Sequence, residues 1–114
     1  MPTIDEIYQE AEALKDAGKY DEAIAKCNEI LATEPGHVLS HLTLAVMYGR
    51  VGQHEQAVQH AEKAAQLDPT DPFNFTALSV TYQRAFAGTQ NHAYIRMAED
   101  ARDKAQSLQG RHSH

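Results

Sequence analysis

The chain has 114 residues, enough for one small domain. Its 16 acidic and 10 basic side chains give a formal net charge of −6, so the basic surface that nucleic-acid binding needs is not expected. Cys27 is the only cysteine, which excludes an intrachain disulfide. The sequence opens without a basic and apolar leader and has no apolar run of membrane-spanning length, so we expect a cytoplasmic protein with no membrane partner.

The first unit of the chain predicts two helices joined by a short turn. Thr3 and Glu6 have the spacing of a capping box, so a helix should begin near Ile4. Its apolar face recurs every three or four residues, at Ile4, Ile7, Ala11, Leu14 and Ala17. Gly18 should end this helix. A second helix should open at Tyr20 and stop before the Pro-Gly pair at 35–36.

The second unit copies the first, and the third copies it in part. We expect helices over Val38–Val51 and His54–Leu67, with a turn at 52–53. Asp71 should cap the next helix, with Pro72 at its first position.

The register then slips, because the motif at 61–64 recurs at 98–101, which is 37 residues later and not 34. We therefore expect a three-residue insertion within 85–92, placed in a longer loop at 87–91. Gly110 should end the last helix, and residues 111–114 should form a flexible tail.

A 34-residue period underlies all three units. Three positions match between the first two units: Gly18 with Gly52, Ala23 with Ala57, and Pro35 with Pro69. Two positions match across all three units: Ala11, Ala45 and Ser79 at one, and Leu14, Tyr48 and Tyr82 at the other. This pattern resembles the tetratricopeptide repeat (TPR) family, with Glu10 standing where the family usually has Leu. The resemblance implies an all-α fold of three helix-turn-helix repeats, six antiparallel helices in all, stacked as a short right-handed superhelix. One domain would cover residues 1–110, with repeats at about 4–37, 38–71 and 72–108.

The resemblance also implies a concave groove lined by the first helix of each repeat. The matching positions are Asp5, Tyr8, Glu12 and Asp16, then Leu39, Leu42, Val46 and Arg50, then Phe73, Thr76, Val80 and Arg84. The expected function is a non-catalytic adaptor that binds a peptide or protein segment there. The alternative is a structural protein that forms homo-oligomers through the same apolar surface. A third interpretation leaves the groove without a ligand, its apolar residues being buried by neighbouring repeats.

Other kinds of site have weaker support in the sequence. Family members that grip a chaperone's C-terminal carboxylate use Lys, Asn and Arg, but the matching positions here are Tyr8, Glu12, Thr43, Phe73 and Ala77. His37 and His41 are four residues apart but lack a third ligand at suitable spacing, so no metal site is expected. No nucleophile–base pair or cofactor motif is present, and Cys27 should pack as a small buried hydrophobe.

The last helix differs from its counterpart in the second unit. At the 37-residue offset, Ala65 becomes Arg102 and Leu67 becomes Lys104. Two stacking positions have become charged, so we expect this helix to close the array after three repeats.

Overall fold

The computed structural model describes residues 1–112, and six α-helices account for most of them. The helices are α1 (Ile4–Asp16), α2 (Tyr20–Thr33), α3 (Val38–Arg50), α4 (His54–Leu67), α5 (Pro72–Thr89) and α6 (Ala93–His112). No strand occurs within these residues. Three-residue connections at 17–19, 51–53 and 90–92 fold α1 on α2, α3 on α4 and α5 on α6. The all-α arrangement of three helix pairs is confirmed.

Local chemistry sets where two of these helices begin. The Thr3 hydroxyl accepts a hydrogen bond from the Glu6 backbone N–H at 3.1 Å, and the Thr3 N–H donates to Glu6 Oε1 at 3.2 Å. This reciprocal capping box satisfies amide groups that have no partner inside the helix. The Asp71 carboxylate accepts from the Phe73 N–H at 2.9 Å, with Pro72 opening α5. Both predicted caps are confirmed.

The turns between paired helices need a backbone that only some residues adopt easily. Gly18 and Gly52 have φ angles of 78° and 82°, in the left-handed region that glycine enters without a side-chain clash. In the third pair Gln90 takes that conformation, with φ 61°. The two glycines of the 34-residue period therefore mark real turns, and the third turn is made by another residue type.

The three-residue insertion lengthens a helix, so the predicted longer loop is wrong: residues 87–89 belong to α5, and only 90–91 of the predicted range lie in the connection. Helix α5 has 18 residues, against 13 in α1 and α3, whereas its connection to α6 is as short as the other two. Ala85 is fully buried, and the Thr89 hydroxyl donates to its carbonyl at 2.7 Å, so packing and a local bond carry α5 through its last turn. Helix α6 also continues past Gly110 to His112. Of the predicted tail, Ser113 and His114 lie outside the described residues.

The core is built where one repeat meets the next. The first interface places Leu44 and Tyr48 of α3 against Ala11, Ile24, Cys27 and Leu31 of the first pair. The second places Leu78 and Tyr82 of α5 against Ala45, Val58, Ala61 and Ala65 of the second pair. We call each such four-residue surface a stacking site. Small buried side chains in each site, Ala11 and Cys27 in the first and Ala45, Ala61 and Ala65 in the second, allow the helices to approach closely.

Candidate functional site

The odd-numbered helices form one continuous surface of the molecule. Helix α3 contacts α1 on one side and α5 on the other, whereas α2, α4 and α6 do not contact one another within the described residues. Helices α1, α3 and α5 therefore make an inner layer. We call its solvent-facing side the inner face.

Three apolar side chains predicted to line the groove are exposed. Leu39 is 51% exposed, Phe73 61% and Val80 37%, while Leu42 and Val46 are half-buried. Burial by neighbouring repeats therefore does not account for the first three. Thr76 is also exposed, but its hydroxyl donates to the Pro72 carbonyl at 3.2 Å.

At the α1 end, the predicted Tyr8 and Glu12 belong to a polar network with Thr43. The Tyr8 hydroxyl donates to Glu12 Oε1 at 2.7 Å and lies 2.9 Å from the Thr43 hydroxyl, which donates to the same carboxylate oxygen at 3.0 Å. Glu12 also pairs with Lys15 at 2.9 Å. The network ties α1 to α3 across the first repeat boundary.

The surroundings of these groups fix their ionisation. Burial, reinforced by the hydrogen bond to the Glu12 carboxylate, raises the pKa of Tyr8 to about 12. Burial on its own raises the pKa of Glu12, but hydrogen bonds from Tyr8, Lys15 and Thr43 outweigh it, so the pKa of this carboxyl lies below its usual value. At neutral pH this end of the inner face therefore carries a fixed negative charge with most of its acceptor positions occupied.

The two predicted arginines are exposed cations. Arg50 and Arg84 have no acidic side chain within ion-pair distance among residues 1–112. Arg50 lines an open cavity of about 290 Å³ together with Lys15, Asp16 and Val46. Both guanidinium groups are therefore available to an acidic partner.

A histidine pair that the sequence analysis missed lies between α3 and α4. His41 and His60 approach with their Nδ1 atoms 2.9 Å apart, and their rings stack at 5.2 Å. His41 Nε2 lies 2.9 Å from the Pro35 carbonyl, an acceptor only, so Nε2 carries the hydrogen and His41 Nδ1 accepts from His60. Burial and then His41 lower the pKa of His60, which favours the neutral form of His60. The only signal for this pair in the sequence is that His41 and His60 each fall on a helix face that is turned toward the interior.

The described part of the chain offers little support for a metal site, a reactive thiol or a membrane-spanning helix. Across residues 1–112, no three His, Cys, Asp or Glu side chains converge as metal ligands. Cys27 is fully buried, as predicted, and burial raises the pKa of its thiol to about 11. None of the six helices has the length and apolar character to span a bilayer.

Solved structures of similar fold come from several proteins. A crystal structure of MamA matches with a TM-score of 0.80 over 97% of this chain and 61% of that chain, at 16% identity. The Sgt2 TPR domain from Aspergillus fumigatus matches with a TM-score of 0.66 over 96% of this chain and 83% of that one, at 22% identity. PcrH in complex with the chaperone binding region of PopD matches with a TM-score of 0.60 over 94% and 91% of the two chains, at 18% identity. At these identities the likeness shows the fold.

The chain spans about three fifths of the length of the MamA structures it matches. A search of curated proteins by sequence finds no match. A family model for the tetratricopeptide repeat matches residues 14–72, just over half of the chain. Members of this family are typically non-catalytic protein-interaction modules, which supports that general role here. With the helix pairs, the left-handed turns and the repeated stacking sites, this match shows that the chain belongs to the tetratricopeptide repeat family.

Proposed function

We propose that this chain is a non-catalytic adaptor that binds a peptide or protein segment along the inner face. The observation that carries the proposal is the exposure of Leu39, Phe73 and Val80 on the two neighbouring helices α3 and α5. Burial of a fully exposed side chain of this kind is worth about 1.5–3 kcal/mol, and a partner that covers these three gains the part of it that corresponds to their 37–61% exposure. PcrH supports the idea by analogy, since it was solved with a segment of its partner.

The charges of the inner face indicate what kind of segment fits. Arg50 and Arg84 lack local partners and favour acidic side chains on the ligand. Glu12 is ionised and already paired with Lys15, so it offers acidic side chains no attraction. The best ligand therefore has apolar side chains that meet Leu39 and Phe73, with acidic residues toward the arginines.

A chaperone-tail carboxylate clamp is not part of this proposal. Tyr8, Glu12 and Thr43 occupy three of the relevant positions and satisfy one another by hydrogen bonds, with a net negative charge. An incoming carboxylate would meet Glu12 and find no cation in its place. A peptide ending in a free carboxylate should therefore bind no better than its amidated form.

Affinity capture with two matched variants tests the site. Val80→Glu adds a charge to the inner face, and Val51→Glu adds the same charge at the α3–α4 connection; both valines are 37% exposed. Partners of the inner face should be recovered by the wild type and by Val51→Glu, and lost with Val80→Glu. If Val80→Glu recovers the same proteins in the same amounts, the inner face is not the binding site.

The alternative function is self-association through the same inner face. Exposure of Phe73 favours it, because a 61% exposed aromatic ring is a ready contact for a second copy. Light scattering over a range of concentrations, for the wild type and for Phe73→Ala, separates the two functions. A monomer at every concentration removes self-assembly as the role of this face.

We also place the protein in the cytoplasm as part of the proposal.

A further inference from the structure

The third repeat carries a stacking site that no described residue occupies. At the offsets that relate the repeats, Ala45, Val58, Ala61 and Ala65 correspond to Ser79, Ile95, Ala98 and Arg102. These last four residues line one open cavity of about 270 Å³ between α5 and α6, which Gln83, Phe86 and Glu99 complete. We call this cavity the terminal stacking site. Because its first two counterparts each receive a helix, its shape is that of a helix-binding groove.

The helices that fill the first two stacking sites share one pattern. Each inserts a leucine and, four residues later, a tyrosine: Leu44 with Tyr48 in the first site, and Leu78 with Tyr82 in the second. Residues four apart lie on one helix face, so each pair enters its site together. An occupant of the terminal stacking site must present two side chains at this spacing.

Helix α1 presents the corresponding face, and no described residue forms a stacking site for it. The residues 34 positions before Leu44 and Tyr48 are Glu10 and Leu14. Glu10 is exposed and reaches only Lys26, at 2.9 Å, while Leu14 is half-buried. The face of α1 that would meet a preceding repeat is therefore open, as the terminal stacking site is at the other end.

The two open surfaces depart from the repeat pattern with opposite charges. Glu10 stands where the other two repeats have leucine, and Arg102 stands where the other two stacking sites have Leu31 and Ala65. Helix α1 carries five acidic residues and one lysine, which adds to its attraction for the arginine. The repeat geometry would bring Glu10 and Arg102, which carry opposite charges, together at such a contact.

We propose that α1 of a second copy docks in the terminal stacking site, so that copies of this chain stack end to end. Leu14 then lies against Ile95 and Ala98, and Glu10 pairs with Arg102. Glu99 lines the same cavity, and its negative charge opposes part of this attraction. This contact uses different surfaces on the two copies, so it propagates into a chain or a ring unless geometry closes it. It leaves the inner face free, and is independent of the function proposed above.

Sedimentation velocity of the whole chain, from about 10 μM to about 1 mM, tests the proposal at the affinities expected of a small interface. The weight-average mass of the wild type should rise to at least double that of the monomer. Ile95→Glu should abolish the rise, whereas Met97→Glu should keep it. The two residues lie on the same helix with 41% and 37% exposure, but Met97 lines a separate cavity beside Phe75. A wild type that stays monomeric overturns the proposal, as does equal loss in both variants.

A charge exchange identifies the contact itself. Glu10→Arg and Arg102→Glu should each be monomeric alone, since like charges then meet, and circular dichroism should show both folded because both positions are exposed. An equimolar mixture of the two variants should regain the wild-type mass. A mixture that stays monomeric overturns the pairing. If Val80→Glu lowers the wild-type mass as much as Ile95→Glu does, the inner face is the contact and the proposal is wrong.

Discussion

Replacing Leu44 by alanine tests whether the repeat interfaces hold the fold together. Leu44 is fully buried in the first stacking site, against Ala11 and Cys27, which are fully buried too. Leu39 lies five residues earlier on the same helix but is 51% exposed on the inner face. The same substitution at Leu39 is therefore a control for helix propensity and residue type.

The expected cost of Leu44→Ala follows from the lost burial and from the cavity it leaves. Leucine-to-alanine changes in cores cost about 2–5 kcal/mol, more where the surroundings cannot collapse. Ala11 and Cys27 have short side chains fixed to α1 and α2, so the gap closes only if whole helices move. We expect a loss in the upper half of that range, about 3.5–5 kcal/mol. For a domain whose total stability is about 5–15 kcal/mol, this is a large fraction.

Urea unfolding followed by circular dichroism measures both variants. Leu44→Ala should lower the midpoint strongly and Tm by more than about 10 °C, whereas Leu39→Ala should change the free energy of unfolding by less than about 0.5 kcal/mol. Leu39→Ala should instead weaken binding at the inner face. A cost below about 1 kcal/mol for Leu44→Ala, or equal costs at both positions, would refute the assignment of Leu44 to the core interface.

Three further predictions concern turns, histidines and the thiol. Gly52→Ala should lower the free energy of unfolding by about 1–2 kcal/mol, because φ is 82° there. Gly49→Ala should raise it by up to about 1 kcal/mol, because nothing lies within 4 Å of the added Cβ. Changes of the same sign for the two variants in urea unfolding would contradict this. The pKa of His60 is lowered by burial and by His41, so the unfolded chain binds this proton more readily. The contribution of His60 to the free energy of unfolding should therefore be fully present above about pH 6.5 and be lost as the pH drops below it. The free energy of His60→Gln should fall less over the same range, and urea midpoints at several pH values measure both proteins. Cys27 is buried, and its pKa is raised to about 11. It should therefore react quickly with a thiol reagent only in denaturant. Rapid labelling of the folded protein would show that the first stacking site opens readily.

Prediction from sequence succeeded where local chemistry decides the outcome. The capping box of Thr3 with Glu6 and the left-handed turns at Gly18 and Gly52 depend on neighbours within a few residues, so the chain itself carries the signal. It failed at residues 87–89, where glycine and polar residues suggested a loop but α5 continues. There the burial of Ala85 keeps α5 helical for another turn.

The candidate site was predicted only in outline. Resemblance placed its lining residues on the first helix of each repeat, because the repeat period fixes which helix face a residue occupies. It did not predict the hydrogen bonds that join Tyr8 and Glu12 to Thr43, or the pair formed by His41 with His60. Both arise between helices, so they depend on how the repeats stack and not on spacing along one helix.

The sequence by itself determined the order of the repeats and the helices and turns of the first two, because the 34-residue period there coincides with capping residues and with glycines at the left-handed turns. The resemblance placed Leu39 on the groove, but only the tertiary structure decided that neighbouring repeats leave Leu39 exposed while Leu44 is buried in a stacking site. The tertiary structure also showed that the third stacking site is an open cavity with Arg102 on its wall. Repetition specifies how each unit folds, but whether a surface is buried depends on what is packed against it, and that is a property of the assembled array.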